Sequence, residues 1–128
     1  MTGVVETMSR NPRFRARAVA RVIAGLRVPL ESEDAAQAAC AKGLLDAGMA
    51  PRREVALARG ERLDILVDGV AVEDKIAGGR RETLRQLERY ARLPEVEALV
   101  LATSRGFAWG PDIDDTPLEI VNLGRGWL

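Results

Sequence analysis

The order of apolar runs, glycines and prolines predicts an α/β fold in which helices pack against one mixed sheet. Two observations carry this prediction. Two alternating runs flank an Asp-Gly pair, and a helical pattern then leads into a continuously apolar run. The predicted order is α-β-β-β-α-β-β, with about four or five strands in a central sheet flanked by helices. At 128 residues, 47% hydrophobic and 30% charged, the chain is long enough for one domain with its own core.

Three segments are predicted to be helical. Residues 13–26 form a short amphipathic helix or a mobile arm that ends before Pro29. Ser32 is a plausible N-cap for an alanine-rich helix that runs to about Asp46. The third helix covers residues 80–93 and is ended by a proline.

Five segments have strand patterns, and one long segment is predicted to be a loop. Asp68-Gly69 between two alternating runs predicts a hairpin with a type I′ turn, and Arg59-Gly60 predicts an earlier turn. The segment 104–117 contains glycine and proline and is predicted to be a loop. The predicted strands cover residues 54–58, 62–67, 70–75, 98–103 and 118–123.

Composition excludes several classes of site. The chain has no histidine, which argues against zinc sites and histidine-dependent catalysis. A metal would need oxygen ligands, which favours magnesium, with manganese as a substitute. The single cysteine, Cys40, fits a reducing cytoplasm. We expect no membrane span and no signal peptide, because no apolar run approaches about 20 residues and the start lacks a basic and apolar leader.

Charge is unevenly distributed although the formal net charge is zero. Residues 1–30 hold six arginines against the single acid Glu6, and they are predicted to be a basic N-terminal arm or helix preceding a domain at residues 31–128. Basic patches of this kind suit nucleic acid, although arginines on helices are more often a solvated face. A second basic group contains Arg80, Arg81, Arg85, Arg89 and Arg92.

Lysine is rare in this chain. Among the 19 lysine and arginine residues, only Lys42 and Lys75 are lysines. An ammonium is a compact charge whose pKa responds to burial, so Lys75 marks a position that needs an ammonium rather than a guanidinium. The alternative is that Lys75 forms an ordinary surface ion pair on a strand.

A two-residue turn at Asp68-Gly69 fixes the predicted register of the hairpin. Asp64 then lies opposite Glu73, with Lys75 on the same face and opposite Arg62. The other face carries the aliphatic residues of both strands. An exposed hairpin with cross-strand ion pairs would place unlike charges opposite each other, so it explains the facing carboxylates poorly. The predicted facing pairs toward the turn are Ile65 with Val72, Leu66 with Ala71, and Val67 with Val70.

Two carboxylates and a lysine on one face can support metal-assisted hydrolysis. The carboxylates could ligate magnesium, and the lysine could orient the attacking water or stabilise charge on a phosphate. Asp74 fits this interpretation poorly, because the register places it on the aliphatic face opposite Leu63, where an unpaired carboxylate is unfavourable. Four alternatives stay open: an exposed hairpin end, an arginine partner, an irregular strand, or a bulge that turns Asp74 toward the metal.

Asp64, then Glu73-x-Lys75, then Gln86-Leu-Glu-Arg-Tyr90 in the next helix resembles the PD-(D/E)XK nuclease superfamily, in particular its RecB-like branch with a Gln-x-x-x-Tyr motif. The resemblance covers roughly residues 31–104. It implies a restriction-endonuclease-like core in which Asp64 and Glu73 bind magnesium and Lys75 assists the water. An acid of the preceding helix often completes such a metal site; Glu33 is the candidate, and its alternative role is a helix-dipole residue.

The resemblance also implies the remaining roles. Gln86 and Tyr90 share a helix face and would touch the DNA backbone or brace the site. The expected function is a magnesium-dependent DNA nuclease, acting as a homodimer or as a module with partners. The alternatives are a catalytically inactive relative that binds nucleic acid or a protein, and a scaffold domain. The candidate DNA-contacting residues are Arg62, Arg81, Arg85 and Arg89.

Overall fold

The computed structural model describes residues 10–57 and 60–124, and all structural statements concern these ranges. They contain three helices and six strands. The helices are α1 (Pro12–Ala24), α2 (Glu33–Asp46) and α3 (Arg80–Ala91). The strands are β1 (Arg52–Ala56), β2 (Arg62–Val67), β3 (Val70–Lys75), β4 (Ala98–Thr103), β5 (Asp112–Ile113) and β6 (Thr116–Asn122).

All six strands form one mixed sheet with the order β1-β2-β3-β4-β6-β5. The first three strands are antiparallel neighbours, whereas β3, β4 and β6 run parallel. A parallel pair needs a crossover connection, and α3 provides it between β3 and β4. The predicted α/β class with one mixed sheet is therefore confirmed.

The sheet has one strand more than predicted. The short strand β5 lies inside the segment that was predicted to be a loop, and it pairs with the start of β6. Asp114 and Asp115 form the connection with φ of 47° and 67°. Left-handed backbone at both positions suits a two-residue hairpin, but the usual signal is Asn-Gly or Asp-Gly. An Asp-Asp pair gave no such signal, so this part of the prediction was wrong.

The two N-terminal helices cover one face of the sheet. Asn11 caps α1 by accepting a hydrogen bond from the Arg13 N–H at 2.9 Å, and Ser32 caps α2 as predicted. Ala16, Val19 and Ile23 of α1 are buried in the cluster that this face forms with β3, β4 and β6. Residues 1–9 of the predicted N-terminal arm lie outside the described ranges.

The helix α3 covers the other face. Leu87 and Tyr90 of α3 belong to a second buried cluster, together with Leu99 and Leu101 of β4. Every residue of β4 is buried, as expected for a central parallel strand covered on both faces. None of the helices in the described part of the chain is long and apolar enough to cross a membrane.

The strand β1 starts two residues earlier than predicted and is distorted at Glu54. Glu54 has φ of 52°, in the left-handed region, and it lies between the pairs that join Arg53 to Ile65 and Val55 to Leu63. Residues 58 and 59, which include part of the predicted strand and turn, lie outside the described ranges. The distortion matters because the position across from Glu54 is Asp64.

Candidate active site

The turn end of the β2–β3 hairpin has the predicted geometry. Asp68 and Gly69 have φ of 51° and 74°, both positive as a type I′ turn requires. The facing pairs at this end are those predicted, with Val67 opposite Val70, Leu66 opposite Ala71 and Ile65 opposite Val72. The backbone N–H groups of Glu97 and Ala98 both donate to the Gly69 carbonyl, which fixes the turn against the chain leading into β4.

At the open end of the hairpin, the alternation of side chains is interrupted at Asp64. Ile65 belongs to the cluster under α1 and α2, whereas Leu63, two residues earlier, belongs to the cluster under α3. The prediction that Leu63 lies opposite Asp74 on one aliphatic face was therefore wrong. The interruption coincides with the left-handed backbone of Glu54 on the neighbouring strand, across from Asp64.

Asp64, Glu73 and Lys75 come together where the alternation breaks. The carboxyl groups of Asp64 and Glu73 lie within hydrogen-bonding reach of each other. The Lys75 Nζ lies 3.9 Å from the Glu73 Oε2, and Glu73 itself is only 3% exposed. The predicted group of two carboxylates and one lysine is thus present as a compact cluster at the end of β3.

Burial governs the electrostatics of this cluster. It raises the pKa of Glu73 to about 9, with a further rise from the charge of Asp64 and an opposing effect of the Lys75 ammonium. Burial also raises the pKa of Asp64, against the hydrogen bond that its carboxylate accepts from the Asp74 N–H at 3.1 Å. Near neutral pH, the pair therefore retains a proton unless a cation offsets its charge.

Asp74 is buried on the opposite side of the strand, toward α2. The Cys40 thiol donates a hydrogen bond to the Asp74 Oδ1 at 3.3 Å, and Asp74 is 0% exposed. Burial raises its pKa to about 7, although the Cys40 thiol partly offsets this effect. Because Asp74 is fully buried, the alternative of an exposed hairpin end is excluded. The alternative of an irregular strand is observed, since the alternation of side chains breaks at Asp64. The main partner of Asp74 is a thiol rather than an arginine, and its side chain faces α2 rather than Glu73.

Glu33 lies at the first turn of α2 and reaches the end of β3. Its Oε2 accepts a hydrogen bond from the Ile76 N–H at 3.2 Å. Its charge raises the pKa values of both Asp64 and Asp74. Glu33 therefore acts electrostatically on Asp64, the residue with which it was predicted to share a metal, and it links α2 to the chain that follows Lys75.

Gln86 and Tyr90 form a hydrogen-bonded pair beneath the site. The Gln86 Nε2 donates to the Tyr90 Oη at 2.8 Å, and the Tyr90 hydroxyl donates to the Arg62 carbonyl at 2.9 Å. Tyr90 is 2% exposed. The pair therefore holds the backbone of β2 two residues before Asp64. Of the two roles expected for Gln86 and Tyr90, this geometry corresponds to bracing the site.

The four arginines proposed for DNA contact differ in their surroundings. Arg62 pairs with Glu54 at 3.2 Å, and Arg89 pairs with Glu61 at 3.4 Å. Arg81 and Arg85 are exposed on α3, one turn apart. The stripe that they form with Arg89 faces solvent, whereas Gln86 and Tyr90 point inward.

Magnesium is the metal that the resemblance implies, and the residues fit it in part. The Glu73 Oε1 is buried and finds no hydrogen-bond partner among the described residues. Magnesium keeps several waters and often takes only one or two carboxylates from the protein, so Asp64 and Glu73 suffice. No group of three acidic or cysteine side chains that could hold a metal together is found within residues 10–57 and 60–124. Glu33 uses its Oε2 to accept the bond from the Ile76 N–H, which leaves its other carboxylate oxygen as the atom that could join.

Sequence reasoning missed a cleft next to this cluster. It has a volume of about 250 Å³ and is lined by Lys75, the start of α3 and the segment after β4. Arg105 and Phe107 of that segment were assigned only to a loop. The available signal was Trp109, a tryptophan in the same glycine- and proline-containing loop, because binding residues often lie on loops.

Comparisons of the chain with protein-family models, with curated proteins and with solved structures find no match.

Proposed function

We propose that the protein is a magnesium-dependent deoxyribonuclease with a restriction-endonuclease-like core. The observation that carries this proposal is the convergence of Asp64, Glu73 and Lys75. The buried carboxyl of Glu73 lies beside the half-buried carboxyl of Asp64, and the Lys75 ammonium lies 3.9 Å from the Glu73 Oε2. A scaffold has no use for such a cluster, because each buried carboxylate costs free energy unless a cation compensates it.

The roles of the residues follow from their charge and position. Asp64 and Glu73 would hold the magnesium ion, which supplies positive charge beside the scissile phosphate. Lys75 donates hydrogen bonds to the attacking water and to the phosphate oxygens, and its ammonium stabilises the charge that develops there. Water adds to phosphorus and releases a proton to solvent, one P–O ester bond breaks, and the leaving oxygen takes up a proton from solvent. Tyr90 and Gln86 hold the backbone that carries Asp64.

A second candidate function is a catalytically inactive nuclease fold that binds nucleic acid or a protein partner. The burial of Glu73 favours it, because a carboxyl with a pKa of about 9 binds a metal only after losing its proton. The bond between Asp74 and Cys40 favours it too, since it directs a third acid away from the cluster. Such a protein would bind DNA at low salt without cleaving it.

Cleavage of linear, branched and single-stranded DNA with magnesium or manganese tests the leading proposal. We expect cleavage that chelation of the metal abolishes. The variant Lys75→Met should lose about 100-fold or more in rate, and Glu73→Gln should lose the response to metal. Lys42→Met is the matched control, because Lys42 pairs with Asp46 on α2 with 78% of its side chain exposed.

Two outcomes would reject the enzyme. One is the absence of cleavage of every DNA form with both metals by the purified, folded protein. The other is a Lys75→Met variant that cleaves as fast as Lys42→Met. DNA binding at low salt in the first case would support the second candidate function.

A further inference from the structure

The cleft beside Lys75 is a second feature of the same end of the sheet. It has a volume of about 250 Å³ and opens on the face that α3 covers. Its walls come from the connection between β3 and α3, from Thr83 in the first turn of α3, and from the segment Thr103 to Phe107. Its floor therefore lies where two parallel strands end, next to the residue proposed to act on the phosphate.

The charged residues that line this cleft within the described ranges are all cationic. They are Lys75, Arg80 and Arg105. Gly78 and Gly79 leave the rim open, because a Cβ added to either would meet nothing within 4 Å. Gly79 is the N-cap of α3 and makes no side-chain capping bond, so the first N–H groups of the helix are available to an anion. Cleft, cations and helix end together suit a phosphate.

An aromatic surface adjoins the cationic cleft. Trp109 is 45% exposed, and its ring centroid lies 6.5 Å from that of the buried Phe107. The Arg80 guanidinium lies 5.6 Å from the centre of the Phe107 ring and 5.8 Å from that of Trp109. The Arg80 Nη2 also donates to the Ala108 carbonyl at 3.0 Å. Arg80 thus fixes the aromatic loop against the start of α3.

Size separates what enters the cleft from what stays outside. Sites that enclose a drug-sized ligand have volumes of about 300–1,000 Å³. The cleft is smaller, so it has room for a phosphate and part of a sugar but not for a whole nucleotide. A paired base inside a duplex turns onto a protein ring only after it is unpaired and unstacked, whereas a base of a single strand is already free to do so.

We infer that the cleft and Trp109 form a subsite for one nucleotide of single-stranded DNA, with its phosphate between Arg80 and Arg105 and its base stacked on Trp109. This inference rests on the proposed function in that it names the substrate class of the same site. Its binding step needs no metal, however, and can be measured separately. The subsite would place the adjacent phosphate next to Lys75.

Binding of a single strand in the presence of EDTA tests the inference. The chain has one other tryptophan, Trp127, so the variant Trp127→Phe leaves Trp109 as the only indole. An oligothymidylate of about twelve nucleotides should quench its fluorescence. By anisotropy, Trp109→Ala should weaken binding of the single strand roughly tenfold or more, and Trp109→Phe should weaken it less. Arg105→Ala should weaken it and reduce its salt dependence.

The binding experiment needs a control variant outside the cleft. Arg21→Ala is the matched control, because Arg21 is exposed on α1, away from the cleft. Equal affinity for the single strand and for a duplex of the same length would overturn the inference, as would a Trp109→Ala variant that binds like the parent. If the single strand binds as expected but is never cleaved, the nuclease proposal fails and the subsite stands. If cleavage depends on Lys75 but not on Trp109, the subsite is rejected and the nuclease proposal stands.

Discussion

The two ends of the β2–β3 hairpin differ in the regularity of their strands and in the kind of side chain that they bury. At the turn end, apolar residues face each other in regular register, and Ile65, Val67, Val70 and Val72 are at most 1% exposed. At the open end, the alternation breaks and buried carboxyls accumulate. The Glu73 Oε1 and the Asp74 Oδ2 are both buried and have no hydrogen-bond partner among the described residues.

One hairpin therefore has an end that stabilises the fold and an end that carries the candidate chemistry. The turn end lowers the free energy of the fold by burying apolar surface. The open end raises it, because carboxyls are held away from water without full compensation. Natural sequences break local rules mainly where a function requires it. The open end is therefore where variants should change pH dependence and activity, and the turn end is where they should change stability alone.

The largest stability effect is expected at the turn end. The variant Ile65→Ala removes a fully buried side chain that faces Val72, and we expect the free energy of unfolding to fall by about 2–5 kcal/mol. Ile65→Val should cost about 0.5–1.5 kcal/mol. Urea unfolding measures both. A loss below that of Ile65→Val would mean that the cluster collapses around the gap and that the two ends differ less than proposed.

The open end should make stability depend on pH. Glu73 has a pKa of about 9 in the folded protein against an ordinary value of 4.5, because of burial and the charges of Asp64 and Asp74, opposed by Lys75. Between these values the folded state holds a proton that the unfolded state has lost. Metal-free stability should thus be greatest at the acidic end of this window and fall by up to about 1.4 kcal/mol per pH unit toward its alkaline end.

Urea unfolding across this pH range in EDTA measures the slope. Glu73→Gln should flatten it, because the amide cannot titrate, and Asp74→Asn should flatten mainly the part below about pH 7. Magnesium should stabilise the parent more at alkaline than at acidic pH, since metal and proton compete for the pair. Stability that rises with pH in the metal-free parent would contradict the buried, protonated state of Glu73.

A smaller effect is expected where α3 supports the open end. Tyr90→Phe leaves the Arg62 carbonyl and the Gln86 amide without their common partner, which should cost about 1–2 kcal/mol. Gln86→Ala should cost less, because the bond from Tyr90 to the Arg62 carbonyl remains. Thermal unfolding ranks the two. If Tyr90 only fills space, Tyr90→Phe will be as stable as the parent.

The smallest effect concerns the backbone of Glu54. Its φ of 52° is unfavourable for a residue with a Cβ, so Glu54→Gly should be more stable than Glu54→Ala by about 1 kcal/mol. Both variants remove the ion pair with Arg62, so their difference isolates the backbone. Equal stability of the two, measured by urea unfolding, would mean that the strand relaxes to ordinary geometry when Glu54 is replaced.

The turn end could be predicted from local signals, and the open end could not. Asp68-Gly69 and the alternation beside it determine the register, because turn type and periodicity are properties of neighbouring residues. The interruption of the alternation at Asp64 lies across from the left-handed Glu54 of another strand and near the bond from Tyr90 of α3, and no local pattern encodes these contacts. The facing of Asp64 and Glu73 was predicted as a contact across a regular ladder. The two carboxyls do meet, at an irregular point of the strand.

The packing of α1 has a consequence for how the chain folds during synthesis. Arg13 bonds to Asp112, 99 residues later, and the buried side chains of α1 pack with those of β4 and β6. The helix is therefore translated long before the strands that cover it. Contacts this distant along the chain slow folding. The apolar face of α1 therefore completes its packing only after β6 has left the ribosome.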